Sequence, residues 1–203
     1  GETKLLPYLI AYLYKFLVGT NGIFGIKDLT VDFAGVIFPV VMFAFATVAF
    51  FFFVKEVFRD KKYSDLIALV ATLFFVVSPV LLSRTIAGIP EKENSIGFMF
   101  AAFYFFLVGW RAKNLWRSVL FATLAGIMSG LMGLIWGGLL YLYLTIGMAV
   151  LVSFILGKVS KRQMICYTVW LILLNAIIVS SFMPKYSLYV MLTNMPQMIM
   201  YLP

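Results

Sequence analysis

The chain has 203 residues, of which 64% are hydrophobic and 12% charged, with a net charge of +8. Soluble domains run at about 45–50% apolar and about 25% charged, so a water-soluble globule is excluded and an all-α integral membrane protein, a polytopic helical bundle, is expected. The absence of histidine excludes a His metal site or a Ser–His–Asp triad, and the single cysteine, Cys166, excludes an intrachain disulfide.

The first apolar run, 5–18, ends at Gly19-Thr20-Asn21-Gly22. It is short against the roughly 20 residues that a crossing needs. With Tyr8, Tyr12 and Lys15 on one helical face, it reads as an interfacial helix. Apolar segments near 33–54, 66–83, 96–110, 118–134, 136–157 and 163–183 read as about six full spans. Pro39 and Pro79 predict kinks inside two of them. Asp28 and Asp32 precede the first, where negative charge complements the helix N-terminus. Asp65 is expected to cap the second, and Asn94 and Ser95 the third. Gly130, Gly133, Gly137 and Gly138 predict a tight reversal between the fourth and fifth. The tract Phe50–Phe53 reads as lipid-facing bulk. Tyr63, Trp110 and Trp116 fit an interfacial aromatic belt. A further apolar piece, with Pro196 inside it, begins at 186.

The connections carry the charge. Loop 55–65 holds Lys55, Arg59, Lys61 and Lys62; loop 111–117 holds Arg111, Lys113 and Arg117; loop 158–162 holds Lys158, Lys161 and Arg162. Six spans put all three on one face, the cytoplasmic one by the excess of cations. This basic charge beside apolar spans points to membrane lipid headgroups and not to nucleic acid. Loop 84–95 falls on the opposite, extracytoplasmic face, together with residues 1–32 and 184–203.

Loop 84–95 is the part with chemistry in it. Arg84, Glu91, Lys92 and Glu93 stand between two apolar spans, a place where charge is costly and marks a functional site by default. Gly88 permits a sharp bend and Pro90 stops helical continuation. In a turn, Glu91 and Glu93 converge on one cation, and carboxylate oxygens suit magnesium or manganese. Arg84 beside them suits phosphate. A plainer account stays open at this point: Arg84 as a snorkelling anchor, with Glu91 and Glu93 complementing the dipole of the next helix.

The run S-R-T-I-A-G-I-P-E-K-E, residues 83–93, resembles the second external loop of the oligosaccharyltransferase catalytic subunit family, the archaeal single-subunit enzymes above all. That family's pattern is an Arg, a Gly four residues on, and an acidic-x-acidic pair starting seven residues after the Arg. Arg84, Gly88, Glu91 and Glu93 match it. The upstream L-P-Y-L-I-A-Y-L-Y-K-F and the downstream Trp136-Gly137-Gly138 segment are similar to family regions too. The resemblance implies the C-type glycosyltransferase fold, with residues 1–32 ending a first external loop and residues 33–203 forming part of the membrane bundle. It implies en bloc transfer of an oligosaccharide from a polyprenyl or dolichyl (pyro)phosphate carrier to Asn in Asn-x-Ser/Thr acceptors. It further implies Glu91 as ligand of a divalent metal, Mn2+ or Mg2+, with Glu93 and Arg84 as catalytic residues. Arg84 and Lys92 would meet the lipid phosphate. The family usually has Asp where Glu91 stands.

Gly1-Glu2-Thr3-Lys4 and Leu202-Pro203 make abrupt ends, and the chain is expected to be a fragment, inactive alone. The family's first acidic motif, its later catalytic Glu, the W-W-D-Y-G motif and the soluble C-terminal domain would then lie outside it. An archaeal plasma membrane is favoured over the endoplasmic reticulum. Two alternatives remain: another polyprenyl-phosphate-dependent transferase of the same fold, and a transporter or flippase. The last would place charges near mid-membrane, where these spans carry none.

Overall fold

A computed structural model of the chain describes residues 5–20 and 29–181. These are helical throughout, with no strand among the described residues. The expectations for Asp28, Pro196 and residues 184–203 lie outside the described residues.

Helix α1, Leu5–Gly19, has no buried residue. It lays Leu5, Leu9 and Leu13 against the core and exposes Tyr8, Tyr12 and Phe16. Helix α2, Val31–Val57, is started by Thr30, whose hydroxyl oxygen accepts from the Phe33 N–H at 3.1 Å. Its 27 residues correspond to about 40 Å at about 1.5 Å per residue, more than a bilayer core of about 30 Å. It continues as one helix through the buried Pro39.

The next span departs from expectation. Helix α3 covers only Ser64–Val76, and a separate turn, α4, covers Pro79–Leu82. Pro79 therefore ends a helix instead of kinking one. Its ring drives Ser78 into the extended region (φ −63°, ψ 120°), and Pro79 then opens α4 where a missing N–H costs nothing. Asp65 is not a cap: the helix starts one residue earlier, and Asp65 pairs with Lys55 at 2.7 Å across the connection.

Helices α5, Ile96–Arg111, α6, Leu115–Ile135, α7, Leu139–Ile155, and α8, Lys161–Ser180, complete the bundle. Ser160 and Gln163 form a reciprocal capping box at the start of α8. Of the four glycines expected to turn the chain, Gly130 and Gly133 lie inside α6. A Cβ at Gly126 would lie 2.8 Å from Leu173 Cβ, and one at Gly130 would lie 2.7 Å from Ile177 Cγ2. Missing side chains thus let α6 and α8 approach closely, as in membrane helix pairs generally. The reversal itself falls at Trp136, which is extended, and at Gly137-Gly138.

Trp170 sits at the centre, fully buried, with its indole N–H donating to Ser129 Oγ at 3.0 Å. Tyr143 donates to Asn175 Oδ1 at 2.7 Å. The phenylalanine tract is packed in part and none of its residues is fully buried. Phe50 stacks on Phe75 at 4.6 Å between centroids, and Phe53 packs on Phe103 at 5.4 Å; Phe52 remains exposed. The expected aromatic belt divides: Tyr63 and Trp116 are exposed, whereas Trp110 stacks on Phe106.

Helices α2, α6 and α8 are long and apolar enough to cross a membrane. Helices α3 and α7 are apolar but shorter, and α5 has 16 residues. Contacts fix the relative direction of the helices. At one end Arg111 donates to the Glu56 carbonyl and meets its carboxylate at 3.4 Å, Ser118 Oγ–H donates to the Gly109 carbonyl, and Gln163 donates to the Trp110 carbonyl. The three basic connections therefore share this end. Loop 84–95 and the α6–α7 reversal share the other.

Candidate functional site

Loop 84–95 is built as a strap over the start of α2. Gly88 has φ +99°, a region that disfavours every residue with a Cβ, and its N–H donates to the Val36 carbonyl at 2.9 Å. The strap then enters a short 3₁₀ turn, Lys92–Ser95, which packs against α2, α5 and α6. Glu91 is the residue before that turn, in extended conformation, and Glu93 lies in its first turn.

The bend closes the sequence gap between the charges. Arg84 Nη1 donates to Glu91 Oε2 at 2.8 Å. The hydrogen bond to Glu91 and the charges of Glu91 and Glu93 raise the Arg84 guanidinium above its ordinary value. Arg84, Glu91 and Glu93 thus form one electrostatic group. Arg84 is exposed and Glu91 and Glu93 are half-buried, so the group faces outward from the bundle end. Lys92 is exposed as well, with Ser95 Oγ–H donating to its carbonyl at 2.7 Å. Whatever its place relative to the membrane, Arg84 is held in an ion pair with Glu91. The capping account holds only in that Glu91 and Glu93 stand at the 3₁₀ turn, where neither Glu91, Asn94 nor Ser95 makes a side-chain capping bond.

Asn94, which directly follows the acidic pair in the chain, is assigned by the sequence pattern to a helix cap. It is 1% exposed, and neither atom of its side-chain amide has a hydrogen-bond partner. Buried amides are nearly always satisfied, so an unpartnered one directly after the acidic pair in the chain stands out. Its position directly after the acidic pair is the signal in the sequence, masked by its fitness as a cap.

As a metal site the group is partial. Its carboxylates are hard oxygen donors of the kind magnesium and manganese take. Asp32 lies one turn from Val36 on α2, hence on the face that the strap crosses. Yet no group of three or more acidic, Cys or His residues is gathered among the described residues. The donor chemistry fits a divalent ion, and the set needs completion from elsewhere. At the same end, a cavity of about 380 Å³ is lined by Trp136, Gly137, Gly138, Leu140, Tyr141 and Leu144.

Comparison with known families decides what kind of protein this is. The family model described as Oligosaccharyl transferase STT3, N-terminal, matches residues 5–202. The chain belongs to that family. No curated protein matches it at a significant level. The family is one of glycosyltransferases of protein N-glycosylation, and its members are membrane proteins. The strap of Arg84, Gly88, Glu91 and Glu93 is therefore a feature of an oligosaccharyl transferase segment, on a bundle that has, among the described residues, three helices long and apolar enough to cross a membrane.

Proposed function

We propose that this segment contributes the phosphate-facing part of a composite catalytic site, in an enzyme that transfers an oligosaccharide from a polyprenyl or dolichyl (pyro)phosphate carrier to Asn of Asn-x-Ser/Thr. The observation that carries this reading is the 2.8 Å Arg84–Glu91 pair, set by the Gly88 bend at the end of an apolar bundle. In this reading the bundle makes six passes, with loop 84–95 extracytoplasmic and the three basic loops cytoplasmic.

Each side chain has a task. Glu91 and Glu93 hold a divalent metal, Mn2+ or Mg2+, with donors from other parts of the protein completing its shell. Once bound, that ion supplies Lewis-acid stabilisation of the leaving (pyro)phosphate. Arg84 keeps the Glu91 carboxylate oriented and balances the two negative charges, so that an anionic carrier is not repelled. Lys92, exposed on the strap, meets the carrier phosphate. Ile86 and Ile89, 56% and 55% exposed, offer apolar surface beside the charges, suited to a polyprenyl chain lying in the membrane.

The test is glycan transfer by the full-length enzyme. Glu91→Gln and Glu93→Gln keep size and hydrogen bonding but remove charge. Each is expected to lower metal-dependent transfer by roughly a hundredfold, the scale seen when one electrostatic group of a preorganised site is removed, with expression and membrane insertion unchanged. Transfer at the normal rate in both variants would sink the assignment.

A further inference from the structure

The opposite end of the bundle holds a second charged feature, which the transfer reaction does not use. A cavity of about 330 Å³ opens between the α2–α3 and α5–α6 connections, lined by Arg59, Arg111, Lys113 and Arg117 above an apolar floor that includes Val108 and Phe121. This volume falls within the range of about 300–1,000 Å³ typical of small-ligand sites. No acid lines the cavity among the described residues. Glu56 compensates part of its charge from the side, at 3.2 Å from Arg59 and 3.4 Å from Arg111. Lys113 and Arg117 have no ion pair among the described residues. Like charges pressed around a concavity repel one another, and an anion in the cavity relieves this.

We infer that this cavity is a binding site for the phosphate headgroup of an anionic membrane lipid. Three observations favour a lipid over a soluble phosphate. The floor comes from α5 and α6, so its apolar side chains continue into the bundle. The rim carries exposed apolar residues, Leu115 at 50% and Trp116 at 73%, as expected where a helix leaves the hydrocarbon. Helix α6 also begins here without an acidic residue in its first turn, and its N-cap Asn114 makes no side-chain capping bond, so among the described residues no side chain caps its first N–H groups. Arg59 and Arg111 grip the phosphate while held in place by Glu56; Lys113 and Arg117 close over it; the first carbons of the acyl chains rest on Val108 and Phe121.

The experiment uses the purified full-length protein in a neutral detergent, with short-chain phosphatidylglycerol as the probe and native mass spectrometry as the readout. Short-chain phosphatidylcholine and inorganic phosphate are the comparison ligands. Lys113→Gln with Arg117→Gln spares the Glu56 network. Lys61→Gln with Lys62→Gln removes the same charge from the same end outside the cavity. Phosphatidylglycerol is expected to bind saturably and to weaken roughly tenfold for each cation removed by the first pair. The second pair is expected to leave binding unchanged. Equal weakening in both pairs, or equal binding of phosphatidylcholine, would show only diffuse attraction and overturn the site. Displacement of the lipid by millimolar inorganic phosphate would assign the cavity to a soluble anion instead.

Discussion

Gly88→Ala is the sharpest probe of the strap. A Cβ built at Gly88 meets nothing within 4 Å, so no steric clash contributes. What remains is the backbone: at φ +99° an L side chain costs roughly 1–2 kcal/mol. If the strap relaxes to avoid that cost, the Gly88 N–H loses the Val36 carbonyl, at about 1 kcal/mol. The docked strap is therefore expected to become about 5–30 times less populated relative to open forms. Gly157 supplies the control. It also has positive φ, +65°, and open space around its Cβ, but it joins α7 to α8 at the other end of the bundle. Hydrogen exchange in full-length protein should show faster exchange across 84–95 in Gly88→Ala and normal exchange there in Gly157→Ala. Transfer should fall in the first variant alone. Equal transfer in both variants, with unchanged exchange at the strap, would refute the idea that the Gly88 bend sets the Arg84–Glu91 geometry.

Three further outcomes are expected. Arg84→Lys keeps the charge but loses the guanidinium fork, so transfer should drop about tenfold, as for one charge-assisted bond; the raised Arg84 value means that its stabilising pair persists up to its usual titration range and is lost only above it, so a transfer profile from about pH 6 to pH 10 should contain no limb from Arg84. Glu56→Gln should cost about 1–2 kcal/mol, because Arg59 and Arg111 lose their shared carboxylate but remain partly in contact with solvent; thermal unfolding in detergent reads this directly, and transfer per folded molecule should not change. Asn94→Leu should leave Tm equal or higher, since it removes an orphaned buried amide, while transfer falls; a large drop in Tm would mean that the amide is satisfied in the full-length protein.

Much of this architecture is legible in the order of the residues. Apolar runs of 15 or more residues have one economical fate in a bilayer, and the helices fall where those runs are. The grouping of the basic connections at one end is likewise readable, because alternating helix directions place the connections 55–65, 111–117 and 158–162 together. Local competition is harder to read. Pro79 within an apolar run suggests a kink, yet the extended Ser78 before it stops α3 outright. Gly130 and Gly133 look like turn residues, but their value lies in the contact with Ile177 and Ile178 of α8, far along the chain, which no local pattern reveals. The strap is visible in Arg84, Gly88, Glu91 and Glu93 as a spacing. Its anchoring on Val36 and the buried amide of Asn94 depend on tertiary packing. The cationic cavity has the same origin. Arg59 and Arg117 are 58 positions apart and face one void only once α2, α5 and α6 are assembled.

The central claim is that Glu91 and Glu93 hold a divalent ion beside Arg84. Mn2+ binding to the full-length enzyme, followed by electron paramagnetic resonance, tests it most directly. The account predicts one tight site in the parent protein, weakened at least roughly tenfold by Glu91→Gln and by Glu93→Gln, and unaffected by Glu56→Gln at the opposite end. Undiminished Mn2+ binding in both strap variants would contradict it.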